Sequence, residues 1–175
     1  MLTAFTLEDF RSYRQATLPL SALTVLIGAN ASGKSNAIEG LRLLSWLAQG
    51  QKLSSIQFEV QNGEHVVRGK VDDLAYQHGE SFGLGAHTSA AAWNRFSMRI
   101  SQRTDGPHIT AETLTQDDAT VPLYTLDQSS SGQSTDVGVA YNNFSKGGRK
   151  PHVICTDQRA IFTQLTSEAP FDARH

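Results

Sequence analysis

The chain has a single cysteine, Cys155, so it can close no internal disulfide and offers no thiolate cluster to a metal. One thiol of this kind reads as a buried, inert side chain in a reducing compartment, and the expected location is the cytoplasm. No apolar run approaches the length of a membrane span, and the opening MLTAFTLEDFRSYR carries charges of both signs without a signal-peptide core. Charge of one sign is lacking too: 15 Lys and Arg stand against 17 Asp and Glu, a net charge of -2. A broadly basic nucleic-acid surface is excluded, and any DNA contact must be local or come from another chain. The histidines at 65, 78, 87, 108, 152 and 175 show no metal-site spacing and no order that asserts a catalytic triad. No solenoid repeat is present. With 175 residues, 39% of them hydrophobic and 18% charged, the chain suits one domain with a real core.

What is present is a glycine loop with both of its flanks. Gly28 to Ser35, GANASGKS, satisfies G-x-x-x-x-G-K-[ST] at every specified position. Upstream, Leu23 to Ile27 is a short β-branched apolar run that predicts a strand covered on both faces. Downstream, Ala37, Leu41, Leu44 and Ala48, joined by Ile38 and Leu47, predict a helix with a wide apolar stripe, stopped at Gly50. Strand, loop, helix is the order that converges backbone N–H groups and a helix N-terminus on phosphates. Gly28 and Gly33 let the backbone approach closely, Lys34 supplies a point charge between the β- and γ-phosphates, and the Ser35 hydroxyl is a Mg²⁺ ligand. The bland alternative, a glycine turn that caps a helix beside an exposed lysine, does not account for both flanks.

The stretch from Thr6 to Leu44, with Phe10, Arg11, Ser12 and Tyr13 followed by Gly28 to Asn36, resembles the start of the SMC/RecF-like ABC ATPases. Residues 139–165 resemble a segment of bacterial predicted AAA-type ATPases of the same RecF/OLD-like group. The resemblance implies an α/β fold, lobe I of a P-loop NTPase of the ABC/SMC-head kind, truncated and with a substantial antiparallel β portion. It implies ATP and Mg²⁺ as cofactors, held by Gly28, Ala29, Asn30, Ala31, Ser32, Gly33, Lys34, Ser35 and Asn36. Arg11 or Arg14 approaches the nucleotide beside the first strand, unless both are solvated strand-end charges. It further implies a homodimer, or a partner chain that supplies the second lobe, with DNA contacted through the full assembly and no membrane involved.

Beyond Gly50 the pattern turns to hairpins. Asn62-Gly63, Asp105-Gly106 and Gly147-Gly148 each lie between strand-like segments, and RFSMRISQ, TDGP, HITAETL is the clearest case. The expected organisation is a single lobe over 1–175, with strands, loop and first helix in 1–50, an irregular connection in 51–93, and mainly antiparallel hairpins in 94–165. Within the connection, 53–62 reads as a short helix or turn, and the Gly- and Ser-rich stretch 78–93 as a mobile loop.

The catalytic remainder is hard to find. SSSGQ, residues 129 to 133, has the letters of an ABC signature, but its surroundings have the composition of a solvated loop. VICTDQ is a poor Walker B strand, because Thr156 interrupts the run before Asp157 and Gln158 stands where a glutamate is needed. The resemblance instead assigns Gln158 to the Q-loop, as a catalytic and Mg²⁺-binding residue beside Lys34 and Ser35, with Gln164 as the substitute and an ordinary polar strand end as the alternative. Signature, Walker B acids and switch histidine are then expected beyond residue 175. Isolated, the chain is expected to bind ATP and to hydrolyse it only with the second lobe; the alternatives are a nucleotide-responsive interaction module and, less well supported by the hairpins, a small-molecule kinase.

Overall fold

The computed structural model describes residues 1–56, 58, 60–61, 64–117, 119–144 and 150–165. Alternation of apolar and polar residues builds the first hairpin: β1 (Leu2–Phe10) buries Phe5 and Leu7 on one face, and β2 (Tyr13–Pro19) runs back beside it as an edge strand. Helix α1 (Lys34–Ala48) follows the glycine loop. A short 3-10 turn (Leu53–Ser55) and the two-residue strands β3 (Val60–Gln61) and β4 (Glu64–His65), paired with each other, lead to β5 (Ser81–Thr88). Among the described residues five further strands follow, β6 (Arg95–Arg103), β7 (Gly106–Thr115), β8 (Tyr124–Gln128), β9 (Asp136–Tyr141) and β10 (His152–Thr156), and then the short helix α2 (Ile161–Leu165).

The main sheet has eight strands in the order β10-β9-β8-β7-β6-β5-β1-β2, and every neighbouring pair is antiparallel. Helix α1 packs on it through Gly40. A Cβ there would lie 2.7 Å from Leu7 Cδ2 and 3.2 Å from Phe10, so glycine sets how closely the helix can sit. This contact turns Ala37, Gly40, Leu43, Leu44 and Leu47 inward, while Ile38 remains 49% exposed and Ala48 faces solvent. The stripe expected from spacing is therefore rotated, because a stripe drawn from side-chain hydrophobicity alone misses the glycine that makes the closest approach. Replacing Gly40 with alanine should cost about 1–3 kcal/mol through overpacking, read as a lowered midpoint in chemical denaturation.

Two expectations are corrected. Leu23 to Ile27 is not a covered strand: the segment pairs with nothing among the described residues, and Leu23, Val25 and Ile27 are 81%, 66% and 90% exposed. A strand needs a neighbour for its N–H and C=O groups as well as apolar side chains, and β2 leaves its outer edge unused here. Ile27→Thr should accordingly change stability by no more than about 0.5 kcal/mol, measured by denaturant titration. The stretch 78–93 is not a loop, since β5 lies between β1 and β6. Its glycines are there for close pairing: a Cβ on Gly85 would collide with the Thr6 hydroxyl. The short helix or turn expected within 53–62 corresponds to the 3-10 turn at Leu53–Ser55, with Val60 and Gln61 in β3. The Asn62-Gly63 and Gly147-Gly148 dipeptides lie outside the described residues, whereas the β6–β7 hairpin turns at Thr104 and Asp105, with Gly106 (φ +124) opening β7 opposite Arg103.

Candidate nucleotide site

Between the exposed segment and α1 the backbone coils into a loop. Ala31 and Gly33 both take left-handed conformations, φ 63 and 93, and the Ser32 amide donates to the Ala29 carbonyl at 3.3 Å. A Cβ on Gly33 would lie 2.9 Å from the Tyr13 hydroxyl and 3.1 Å from Ser12 Oγ, and one on Gly28 would lie 2.9 Å from Ser32 Oγ. Gly33 is the position that needs glycine, for its left-handed conformation and for the close Tyr13 and Ser12 side chains, whereas at Gly28 the Ser32 hydroxyl can shift. The Gly33 carbonyl starts the helix by accepting from the Asn36 and Ala37 amides at 2.8 and 3.0 Å. Among the described residues, the amides of Lys34 and Ser35 donate to no backbone carbonyl, which leaves the donors of a helix N-terminus turned toward the loop. Lys34 Nζ lies inside the coil, donating to the Gly28 and Ala29 carbonyls at 2.7 and 2.6 Å and to Ser32 Oγ at 3.3 Å. The donor set is amides, one ammonium and the hydroxyl of Ser35, which fits a polyphosphate and its Mg²⁺.

Beside the loop lies a charged cluster that sequence reasoning found only in part. Arg11, with φ 53 at the turn between β1 and β2, sends its guanidinium to Glu39 Oε1 at 2.7 Å and to the Asp73 carbonyl at 3.0 Å. Arg68 donates to the same carboxylate through its amide, 2.6 Å, and its guanidinium, 3.0 Å, and reaches Asn36 Oδ1 at 2.8 Å. Asn36 is also tied to Ser12 Oγ at 2.9 Å. Two guanidiniums thus share one buried carboxylate beside α1. Arg11, Ser12, Asn36, Arg68 and Asp73 line a cavity of about 440 Å³; Ser35, Arg42, His65 and the other side of Arg68 line another of about 310 Å³. Arg14 is exposed on β2, so of the two arginines considered it is Arg11 that stands at the site. Arg68 and Glu39 were missed; the available signal was an acid on the inward face of a helix, which needs a cation from elsewhere.

The structure does not bring Gln158 to Lys34 and Ser35. Its carbonyl accepts from the Leu53 amide at 2.7 Å, in the turn after the C-terminus of α1, a helix of 15 residues and hence about 22 Å long. Its side chain donates to the Pro107 carbonyl at 3.1 Å and to Asp157 at 3.3 Å. In this arrangement Gln158 shares no metal ion with Ser35. Gln164 is also engaged, clasping Thr156 through the amide and carbonyl, both at 2.8 Å. Asp157 is fully buried and accepts from His108 at 2.8 Å and from the Ser130 hydroxyl. This uses the acid of VICTDQ and the serine of SSSGQ in one structural knot, and no helix opens at residues 129–133.

Strand hairpin, coiled glycine loop and long helix with an ammonium in the coil define the N-terminal part of an ATPase-type nucleotide-binding module. Residues 1–80 match the AAA ATPase domain family. The DNA replication and repair protein RecF of Caulobacter sp. (strain K31) is 53% identical over 45 residues, 25% of this chain and 12% of that protein. RecF of Gloeobacter violaceus is 40% identical over 70 residues, covering 39% and 17%, and RecF of Staphylococcus epidermidis 34% over 85 residues, covering 45% and 21%. A solved SMC ATPase, described for ATP-driven dimerization and DNA stimulated activation, is similar at a TM-score of 0.38 and 19% identity over 68% of this chain and 72% of that one. Over its N-terminal portion the chain is thus similar to the AAA ATPase domain family and to RecF proteins. The chain spans 12% to 21% of the length of these RecF relatives. Among the described residues no helix is long and apolar enough to cross a membrane.

Proposed function

We propose that the chain binds Mg-ATP in the loop of residues 28–36, as the nucleotide-binding lobe of a RecF/OLD-like ATPase. The observation that carries this reading is the Lys34 ammonium inside a coil that turns through the left-handed Gly33, at the N-terminus of a 15-residue helix. Loop amides and Lys34 hold the phosphates, Ser35 holds Mg²⁺, and the Arg11–Arg68 pair lies on the Asn36 side. Bound Mg²⁺ supplies charge neutralisation on the phosphates. Hydrolysis needs an aspartate for the metal and a glutamate for the water, and these come from a second lobe: Asp157 is already bonded to His108 and Ser130. The assembly is a cytoplasmic dimer, or a pair with a chain that carries the second lobe, and contacts DNA as a whole; the RecF relatives are DNA replication and repair proteins.

A second reading, a nucleotide-responsive interaction module without hydrolysis, is favoured by the bare apolar segment next to the loop. Titration with ATP in the presence of Mg²⁺ tests the first: saturable one-site binding is expected, and no binding up to millimolar nucleotide would reject it. Turnover by the chain alone would reject the second.

A further inference from the structure

Two cavities flank the first turn of α1, and a nucleotide whose phosphates fill the loop leaves it over one of them. Mg²⁺ bridges the β- and γ-phosphates, and Ser35 is the residue placed to hold it, so the terminal phosphates lie on the Ser35 side. The sugar then leaves over Asn36, into the cavity of about 440 Å³. That volume suits a nucleoside.

One wall of this cavity is built by residues 73–78. Leu74 is fully buried, its carbonyl accepts from the Arg11 amide at 2.7 Å, and Ala75 bridges to Phe10, which fixes the segment against the end of β1. Short 3-10 turns on either side, Val71–Asp73 and Tyr76–His78, bring Asp73, Gln77 and His78 to the cavity. Two links tie this wall to the helix N-terminus: the Asp73 carbonyl accepts from the Arg11 guanidinium at 3.0 Å, and Ser12, the next residue, accepts from Asn36 at 2.9 Å. The carboxylate of Asp73 takes no part in them. It accepts no hydrogen bond among the described residues, lies 3.7 Å from His78 Nδ1, and belongs to a side chain that is 45% exposed. Glu39, by contrast, has both oxygens occupied by Arg11 and Arg68. Among the described residues that line the cavity, Asp73 therefore supplies the open acceptor.

We propose that Asp73 is a specificity-determining residue that accepts hydrogen bonds from the vicinal hydroxyls of ribose, so that the site takes ribonucleoside triphosphates ahead of their 2′-deoxy counterparts. This assignment rests on the binding of phosphates in the loop of residues 28–36. A carboxylate only accepts, and a hydroxyl that donates to it makes a charge-assisted bond. Along a nucleotide the sugar follows the α-phosphate directly, and the base lies further out. An acidic side chain on the ribose hydroxyls is also how dinucleotide sites hold their sugar.

Calorimetric titration of the full chain with Mg-ATP, Mg-2′-deoxy-ATP and Mg-tripolyphosphate tests this. The wild type should bind ATP about tenfold more tightly than 2′-deoxy-ATP, the factor that corresponds to one lost hydrogen bond to a charged group. In Asp73→Ala the ratio should fall to about one. Loss of the charge alone does not produce that result, because the two nucleotides carry the same phosphates and feel it equally. The Asp73 side chain makes no hydrogen bond among the described residues, so the variant should keep the wild-type thermal midpoint, and the wild-type ratio is informative without any variant. Tripolyphosphate separates the cradle from the recognition of sugar, since it fills the loop without one. If tripolyphosphate binds but ATP binds no more tightly than 2′-deoxy-ATP, the role of Asp73 is overturned and the phosphate cradle stands. A ratio that persists in Asp73→Ala has the same meaning. Failure of all three to bind overturns both.

Discussion

Replacing Lys34 with alanine lowers the affinity for Mg-ATP by about a hundredfold, measured by calorimetric titration, and leaves the thermal midpoint nearly unchanged. Charge-assisted hydrogen bonds contribute about 1.5–3 kcal/mol each, and an ammonium between two phosphate groups makes more than one of them. The stability of the fold does not depend on it, because Lys34 Nζ contacts only carbonyls and a hydroxyl of its own loop, at exposed positions. Loss of binding without loss of fold separates a phosphate cradle from a helix cap. An affinity that survives the substitution unchanged would mean that the coil is only a turn.

The loop was legible because its chemistry is written in eight consecutive residues, and every contact that shapes it comes from the loop itself or the adjacent hairpin. The segment before it was legible only in part. LTVLI has the composition of a buried strand, but composition records what a segment can bury and says nothing about which neighbour covers it; Ile27 stands 90% exposed. Stretch 78–93 misled for the opposite reason. Gly83 and Gly85 read as flexibility, yet in β5 they allow β1 to approach within the reach of Thr6 and Glu8. Gln158 was assigned by order along a family pattern, and order does not fix distance: β10 delivers it to Leu53, past the wrong end of α1. Arg68 was invisible because its partner Glu39 lies 29 residues away.

Replacing Glu39 with alanine costs about 3–5 kcal/mol, the range for a buried pair that loses one partner. The side chain of Glu39 is 4% exposed, and its two oxygens hold the Arg11 guanidinium, the Arg68 guanidinium and the Arg68 amide. Without it Arg68, whose side chain is 60% exposed, turns out to water at little cost. Arg11 cannot follow. Its side chain is 14% exposed, and its Nε has no hydrogen-bond partner among the described residues. Only the Asp73 and Arg68 carbonyls would remain to hold the charge. The thermal midpoint should fall by roughly 6–20 °C for a domain of this size. Adding Arg11→Met to Glu39→Ala should then recover part of the loss, because it removes the stranded charge and fills the space with an apolar side chain. The sign of that second step decides between two accounts of the cluster. If the double variant is less stable than Glu39→Ala, Arg11 is held by its carbonyl contacts, and the carboxylate serves only to orient Arg68. If it is more stable, the carboxylate is what keeps a buried guanidinium at the edge of the phosphate loop.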